Sequence, residues 1–465
     1  MERRTLISAA AATAAFPLLR RTGAGWLAPR PVPTAAQLRW QREETALFIH
    51  FGVNTFTDRE WGDGTERPSL FDPAALDARQ WARAARSAGA GSMILTAKHH
   101  DGFCLWPTAT TRHSVASSQW RGGRGDVVRE FVDACRAEGL GAGLYLSPWD
   151  RNAPSYGEGR PYDDFYITQL TELLTAYGPL VEIWFDGANG EGPNGRRQSY
   201  DWPRIHRTVR KLQPDAVIFS DAGPDVRWIG NERGVAGETC WSTIDPAAVP
   251  HAGYDGPGVA ETLQTGHPDG SVWRPGETDV SIRPGWFWHP AEDAKVRTVE
   301  NLVELHFTSV GRNSKLLLNV PPTRDGLFHT TDVERLAGYG EAIRRLYSAD
   351  AALGASSRDR RARRLVDRDP RTWWSPRGTS GSAELRLAGE ARCSVVCLEE
   401  AVAHGQSVER YRVEAWFGGA WREISRGTTI GHRKLDRVEP FSTDRIRLVV
   451  ERSLDVPRLA RLSLF

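Results

Sequence analysis

Side chains able to do chemistry gather at the ends of four apolar runs. The first run, LFIHFGV (47–53), carries His50 and leads into EWGDG, with Glu60 and Trp61. The second, SMILTA (92–97), ends in KHHDGF, which supplies Lys98, His99, His100 and Asp101. The third, GAGLYLS (141–147), holds Tyr145 and leads to Trp149. The fourth, LVEIWFDG (180–187), brings Trp184 and Asp186. A lone His or Asp is usually structural, but four runs that each deliver His, Tyr, Trp or Asp at the same end are not accounted for by packing. Paired carboxylates suit this set. Asp186 would sit at the mouth of a rigid strand, one carboxylate acting as nucleophile and a second as acid/base in hydrolysis of a glycosidic bond. The imidazoles and Tyr145 would bind hydroxyls, and the indoles would cover apolar sugar faces. A metal hydrolase would need further ligands at a recognisable spacing. Adjacent His99 and His100 would point to opposite faces on a strand and could reach one ligand only from a loop. No Gly-x-Ser-x-Gly elbow and no phosphate-binding loop precedes a helix.

These side chains need a scaffold that turns strand ends toward one point. Between the runs lie DARQWARAARSAG, DVVREFVDACRAEG, DDFYITQLTELLTAYG and DWPRIHRTVRKLQ, whose apolar residues recur at helical spacing. Two further runs, AVIFSD (216–221) and KLLLNVPP (315–322), extend the alternation. Strand–helix alternation predicts parallel strands with crossover helices, and a (β/α)8-like (TIM) barrel over residues 33–348 places its site at the C-terminal strand ends. Six runs fall short of eight strands; the Gly/Pro-rich stretch 225–292 is expected to hide the sixth strand among long loops. Helices near 295–308 and 332–347 would close the barrel. From 349 to 465 the texture changes to short alternating runs (AELRL, SVVCLE, ERYRVEAWF, AWREIS, DRIRLVVE, ARLSLF), which predict a C-terminal antiparallel β-sandwich.

Composition narrows the class. The 465 residues carry 60 Lys+Arg and 58 Asp+Glu, a near balance that gives no electrostatic case for nucleic acid or an anionic membrane as partner. No internal segment has the length and apolarity of a membrane span. The five cysteines match no zinc spacing and are expected to be mostly free thiols. Residues 1–32 begin MERRTLISAAAATAAFPLL, an Arg3-Arg4 pair before an Ala-rich run, and read as a twin-arginine-type export signal.

IHFGVNTF, EWGDG, LTAKHHDGFCLW, GLYLSPWD, EIWFDGA and LLLNVPPTRDG, in this order over residues 40–345, resemble the α-L-fucosidases of glycoside hydrolase family 29. The resemblance implies a retaining double displacement that removes terminal α-L-fucose from oligosaccharides or glycoconjugates, with no metal and no organic cofactor. Residue by residue it makes Asp186 the nucleophile, and His50, His99, His100, Glu60, Trp61, Tyr145 and Trp184 sugar contacts. Trp286 and Trp288, in RPGWFWH, are candidates for the wall around the C6 methyl or for the aglycone side. Glu232, in RWIGNERG, is the preferred acid/base, with Glu238 as its rival; this segment is similar to the branch that prefers α-1,3- and α-1,4-linked fucose. The C-terminal region resembles discoidin-like, galactose-binding-like modules through DRDPRTWWS. The alternative reading is a non-catalytic fucose- or glycan-binding protein on the same scaffold, which loss of Asp186 or Glu232 would have favoured.

Overall fold

The structure, a computed structural model, describes residues 30–465 and the backbone of a short strand pair, Arg20–Thr22 with Gly25–Leu27. The export signal read from Arg3 and Arg4 lies outside the described residues. Eight strands form a closed barrel. They are β1 (Thr45–Ile49), β2 (Ser92–Lys98), β3 (Gly141–Leu146), β4 (Glu182–Trp184), β5 (Val217–Ser220), β6 (Val226–Trp228), β7 (Gly276–Ser281) and β8 (Ser314–Asn319). Every neighbouring pair is parallel, and β8 returns to β1. Strands covered on both faces need apolar residues at nearly every position, which is why the early runs read as continuous.

The helical patterns form where their first residues can cap them. Asp77, Asp126 and Asp201 each accept a backbone N–H at the start of α2 (Ala78–Ala88), α3 (Val127–Ala137) and α5 (Trp202–Leu212), at 2.9, 2.8 and 3.0 Å. Before β1, α1 (Ala35–Glu43) starts in a capping box of Thr34 and Gln37. Between β3 and β4 runs α4 (Arg160–Ala176). The short α6 (Val259–Thr265) precedes β7, and α7 (Val299–Thr308) and α8 (Thr330–Ser348) flank β8.

The stretch 225–292 hides two barrel strands rather than one, besides the short antiparallel pair Thr243–Ile244 and Val272–Trp273. Both β6 and β7 lie in it, and no helix separates β5 from β6. Strand alternation divides the core. Leu47 and Ile49 face the helices, whereas Ala46 and Phe48 face the barrel axis with Tyr145, Trp184, Phe219 and Leu317. That axial column ends in the site.

The C-terminal antiparallel unit contains β9 (Gly381–Glu400), β10 (Val408–Phe417), β11 (Ala420–Gly427), β12 (Lys434–Ser453) and β13 (Leu459–Leu464). Their order is β11-β10-β12-β9-β13, and the long β9 and β12 shift register against each other twice. Alternate residues are buried in the first half of β9, but Val395–Leu398 are buried on both faces. There Val395, Cys397 and Leu435 pack against Phe307 of α7. All five cysteines are buried and free. No helix among the described residues is long and apolar enough to cross a membrane.

Candidate active site

A cavity of about 440 Å³ opens at the C-terminal ends of the strands, within the ~300–1,000 Å³ range usual for small-molecule sites. Ten of the twelve residues named as catalytic or sugar-contacting candidates line it. His50, Glu60, Trp61, His99 and His100 come from the first two strand ends, Tyr145, Trp184 and Asp186 from the next two, and Glu232 and Trp286 from the loops after β6 and β7.

Asp186 lies two residues beyond β4, with its side chain 26% exposed. Its Oδ2 accepts from the Tyr145 hydroxyl at 3.0 Å and its Oδ1 from the Ala188 N–H at 2.8 Å. His100 Nε2 stands 3.8 Å from Oδ2. Both carboxylate oxygens are thus oriented while one face stays open to a ligand.

Burial disfavours the charged form of all three imidazoles. Burial, chiefly, pushes His50 down to about 3, with a smaller push from His100. Burial also holds His99 well below the usual histidine value, helped by His100 and His50. For His100, burial outweighs the opposing pull of Asp186. The Asn319 amide nitrogen is committed to Ser281 Oγ and the Trp286 carbonyl, so its oxygen accepts from His50 Nδ1 at 2.8 Å. Ser147 Oγ donates to the Trp149 carbonyl, so it accepts from His100 Nδ1 at 2.8 Å. His50 and His100 therefore carry their protons on Nδ1 and keep the Nε2 lone pair free for a hydroxyl donor. Because β2 ends at Lys98, His99 and His100 lie in the following turn, which is how adjacent side chains reach one cavity; their ring centroids are 4.0 Å apart.

Glu232 leaves β6 on a loop and takes the Trp286 indole N–H at 3.3 Å. Burial raises its carboxyl above the usual range, and the charges of Asp186 and Glu60 add to the rise against the Trp286 hydrogen bond. Glu60 is held by the 286–289 loop: it accepts from the backbone N–H of Trp286, from Phe287 N at 3.4 Å and from His289 Nε2 at 3.0 Å. Trp184 stacks on Phe219 at 4.2 Å and donates its indole N–H to Glu277, buried in the barrel axis. Trp61 stands on the rim, 55% exposed, edge-on to His100 and Trp149. The rival Glu238 is elsewhere: its side chain is 83% exposed and ion-paired with Arg312 at 3.6 Å. Trp288 does not line the cavity and donates to Asp293.

Four polar or aromatic lining residues were not apparent as site residues from the sequence: Phe48, Asp221, Trp228 and Asp279. Asp279 is 4% exposed and accepts from Trp228 Nε1 at 2.7 Å. Burial first, then the charge of Glu232, holds its carboxyl well above the usual value. Asp221 accepts from Gly253 N at 2.9 Å; burial, joined by the charge of Asp186, pushes it up to about 6. Among the described residues no group of three or more His, Cys, Asp or Glu comes together as a metal site.

A barrel whose strand ends bring imidazoles, indoles and carboxylates around a cavity of this size offers what a glycoside hydrolase needs. The family model described as alpha-L-fucosidase matches residues 36–345. The chain is 41% identical to alpha-L-fucosidase 1 of Arabidopsis thaliana, over 94% of this chain and 87% of the relative. The crystal structure of SpGH29 shares 39% identity at a TM-score of 0.88, covering 94% of this chain and 98% of that one. A Ruminococcus gnavus GH29 fucosidase in complex with fucose shares 32% identity at a TM-score of 0.84, covering 94% and 96%. The chain belongs to the alpha-L-fucosidases of glycoside hydrolase family 29.

Proposed function

We propose that this α-L-fucosidase acts with retention of configuration, with Asp186 as nucleophile and Glu232 as acid/base, and that it prefers α-1,3- and α-1,4-linked fucose. The observation that carries the reading is that two carboxylates from different strand ends line one cavity: Asp186, with a donor on each oxygen, and Glu232, with a raised pKa. In the first step Asp186 attacks C1 of the fucosyl unit, and the C1–O bond breaks as Glu232 protonates the leaving oxygen. In the second, Glu232 takes a proton from water, whose oxygen attacks C1 and releases Asp186. The two displacements together retain the anomeric configuration. The charge logic suits both halves. Ionised Asp186 helps keep Glu232 protonated; once Asp186 is an ester its charge is gone, and Glu232 becomes the base. The neutral His50 and His100 would accept hydroxyl protons of the sugar, and Trp286 would bring an apolar face beside its ring.

The linkage preference rests on the resemblance of RWIGNERG to the α-1,3/1,4 branch. It is tested by fucose release from a Lewis-type trisaccharide against an α-1,2-fucosylated one, with the first-formed anomer followed by NMR. Release from the first alone, as the α-anomer, supports the reading; a first-formed β-anomer, or release from the α-1,2 substrate alone, contradicts it. Export by the twin-arginine route is proposed from Arg3-Arg4. Replacing both by Lys should retain activity inside the cell; unchanged export would refute this.

A further inference from the structure

The segment that leaves β6 with Glu232 is anchored largely by hydrogen bonds from outside itself. A turn closes immediately after the glutamate, where Asn231 Nδ2 donates to the Val235 carbonyl at 2.9 Å. Gly234 sits there at φ +71°, and a Cβ on it would meet Leu305 and Val280 at 2.8 Å, so the turn lies flush on α7 and β7. Ala236 N donates to the Thr308 carbonyl at 2.8 Å. Beyond this the C-terminal unit takes over. Cys240 N donates to Thr429 Oγ1 at 2.8 Å, Ser242 N to Gln406 Oε1 at 2.8 Å, and Gln406 Nε2 returns a bond to the Cys240 carbonyl at 3.1 Å. Asn313, at the start of β8, joins the same carbonyl at 2.9 Å and Gln406 Oε1 at 3.3 Å. Gln406, Thr429, Cys240 and Ser242 are all buried. Ile229, Ala236 and Cys240 form a small apolar cluster of their own, which ties the clamped end of the segment to the end that bears Glu232.

We propose that the C-terminal β unit is a positioning element for catalysis, in which Gln406 and Thr429 clamp Cys240 and Ser242 and so fix the 229–242 segment that places Glu232 over the cavity. The inference rests on Glu232 being the acid/base. Gln406 and Thr429 touch no substrate; they act through the segment. Proton donation demands close placement of the donor, and a displacement near 1 Å can cost on the order of a hundredfold. Nucleophilic attack by Asp186, just beyond β4, does not depend on this clamp. Loosening it should therefore penalise leaving groups in proportion to their need for a proton.

The test measures kcat/KM of Gln406→Met and Thr429→Val on dinitrophenyl and unsubstituted phenyl α-L-fucosides, beside Glu232→Ala and Thr429→Ser. Dinitrophenolate departs without protonation; phenolate needs it. Both clamp variants should stay within about twofold of the parent on the first substrate and fall about tenfold or more on the second, with Thr429→Ser restoring the loss. Equal falls on both substrates, or no fall on either, overturn the proposal. If Gln406→Met does not yield folded protein, the Thr429→Val and Thr429→Ser pair decides. If Glu232→Ala shows the leaving-group dependence and the clamp variants do not, the clamp alone is wrong. If Glu232→Ala shows none, the acid/base assignment falls and takes the clamp with it.

Discussion

Tyr145 donates its phenolic hydrogen to Asp186 Oδ2 at 3.0 Å, from the strand next to the one that carries Asp186. Burial, reinforced by the charge of Asp186, holds the phenol well above its usual pKa, so Tyr145 remains a donor across the working pH range. With the Ala188 N–H on Oδ1, this fixes the plane of the carboxylate before any sugar arrives. Prior orientation of a reacting group is one way a rigid barrel contributes to rate.

Tyr145→Phe should keep the ring and lose the hydrogen bond. A charge-assisted bond of this kind is worth about 1.5–3 kcal/mol, so kcat on an activated aryl fucoside should fall about tenfold to a hundredfold, with a smaller change in KM. A variant that alters KM alone would show that the contact serves binding rather than attack.

The alkaline limb of kcat/KM should report ionisation of Glu232, and two neighbours should move it in opposite directions. Glu60 raises the Glu232 carboxyl through its charge, so Glu60→Gln should lower that pKa and bring the limb to lower pH. Trp286 lowers it by donating to the ionised form, so Trp286→Phe should move the limb to higher pH. Shifts of the same sign in both variants would assign the limb to another group.

Lys98 in KHHDGF is structural. Its ammonium is fully buried, 2.8 Å from Asp150 and 2.9 Å from Gln169. Lys98→Met would strand the Asp150 carboxylate, and urea unfolding should show a loss of about 3–5 kcal/mol. A loss below about 1 kcal/mol would place the pair with exposed ion pairs instead.

Asp101 should make stability depend on pH. Burial raises its carboxyl from 3.8 to about 7. The folded state thus holds a proton that the unfolded chain gives up near 3.8, and the stability this provides is lost as pH rises toward 7. Asp101→Asn, which cannot ionise, should gain on the parent steadily over that range and level off above it. A difference in unfolding free energy that stays constant between pH 4 and 8 would refute the shift.

What the sequence made legible follows from how each element is built. Strands β1 to β5 and β8 could be read because burial on both faces demands unbroken apolar runs. By contrast β6 is three residues long with Arg227 at its centre, and β7 reads GETDVS, with Glu277 turned to the barrel axis and Asp279 to the cavity. Neither resembles a buried strand, which is also why Asp279 went unseen. Asp221 was in view at the end of AVIFSD, and the rule that strand ends carry the chemistry could have found it. The resemblance ranked Glu232 above Glu238 without showing where either side chain lies. Glu232 and Glu238 are six positions apart in sequence, yet one lines the cavity and the other pairs with Arg312 at the surface.

If Asp186 is the nucleophile, it becomes covalently attached to fucose during turnover. Brief reaction with a 2-fluoro-fucosyl donor, which forms the glycosyl-enzyme and slows its hydrolysis, followed by digestion and mass spectrometry, tests it directly. A fluorofucosyl group on the peptide containing Asp186, absent from Asp186→Ala, is the expected result. Label on Glu232 or Asp221 in the parent, or turnover of the donor with no labelled peptide while Asp186→Ala stays active, would contradict it.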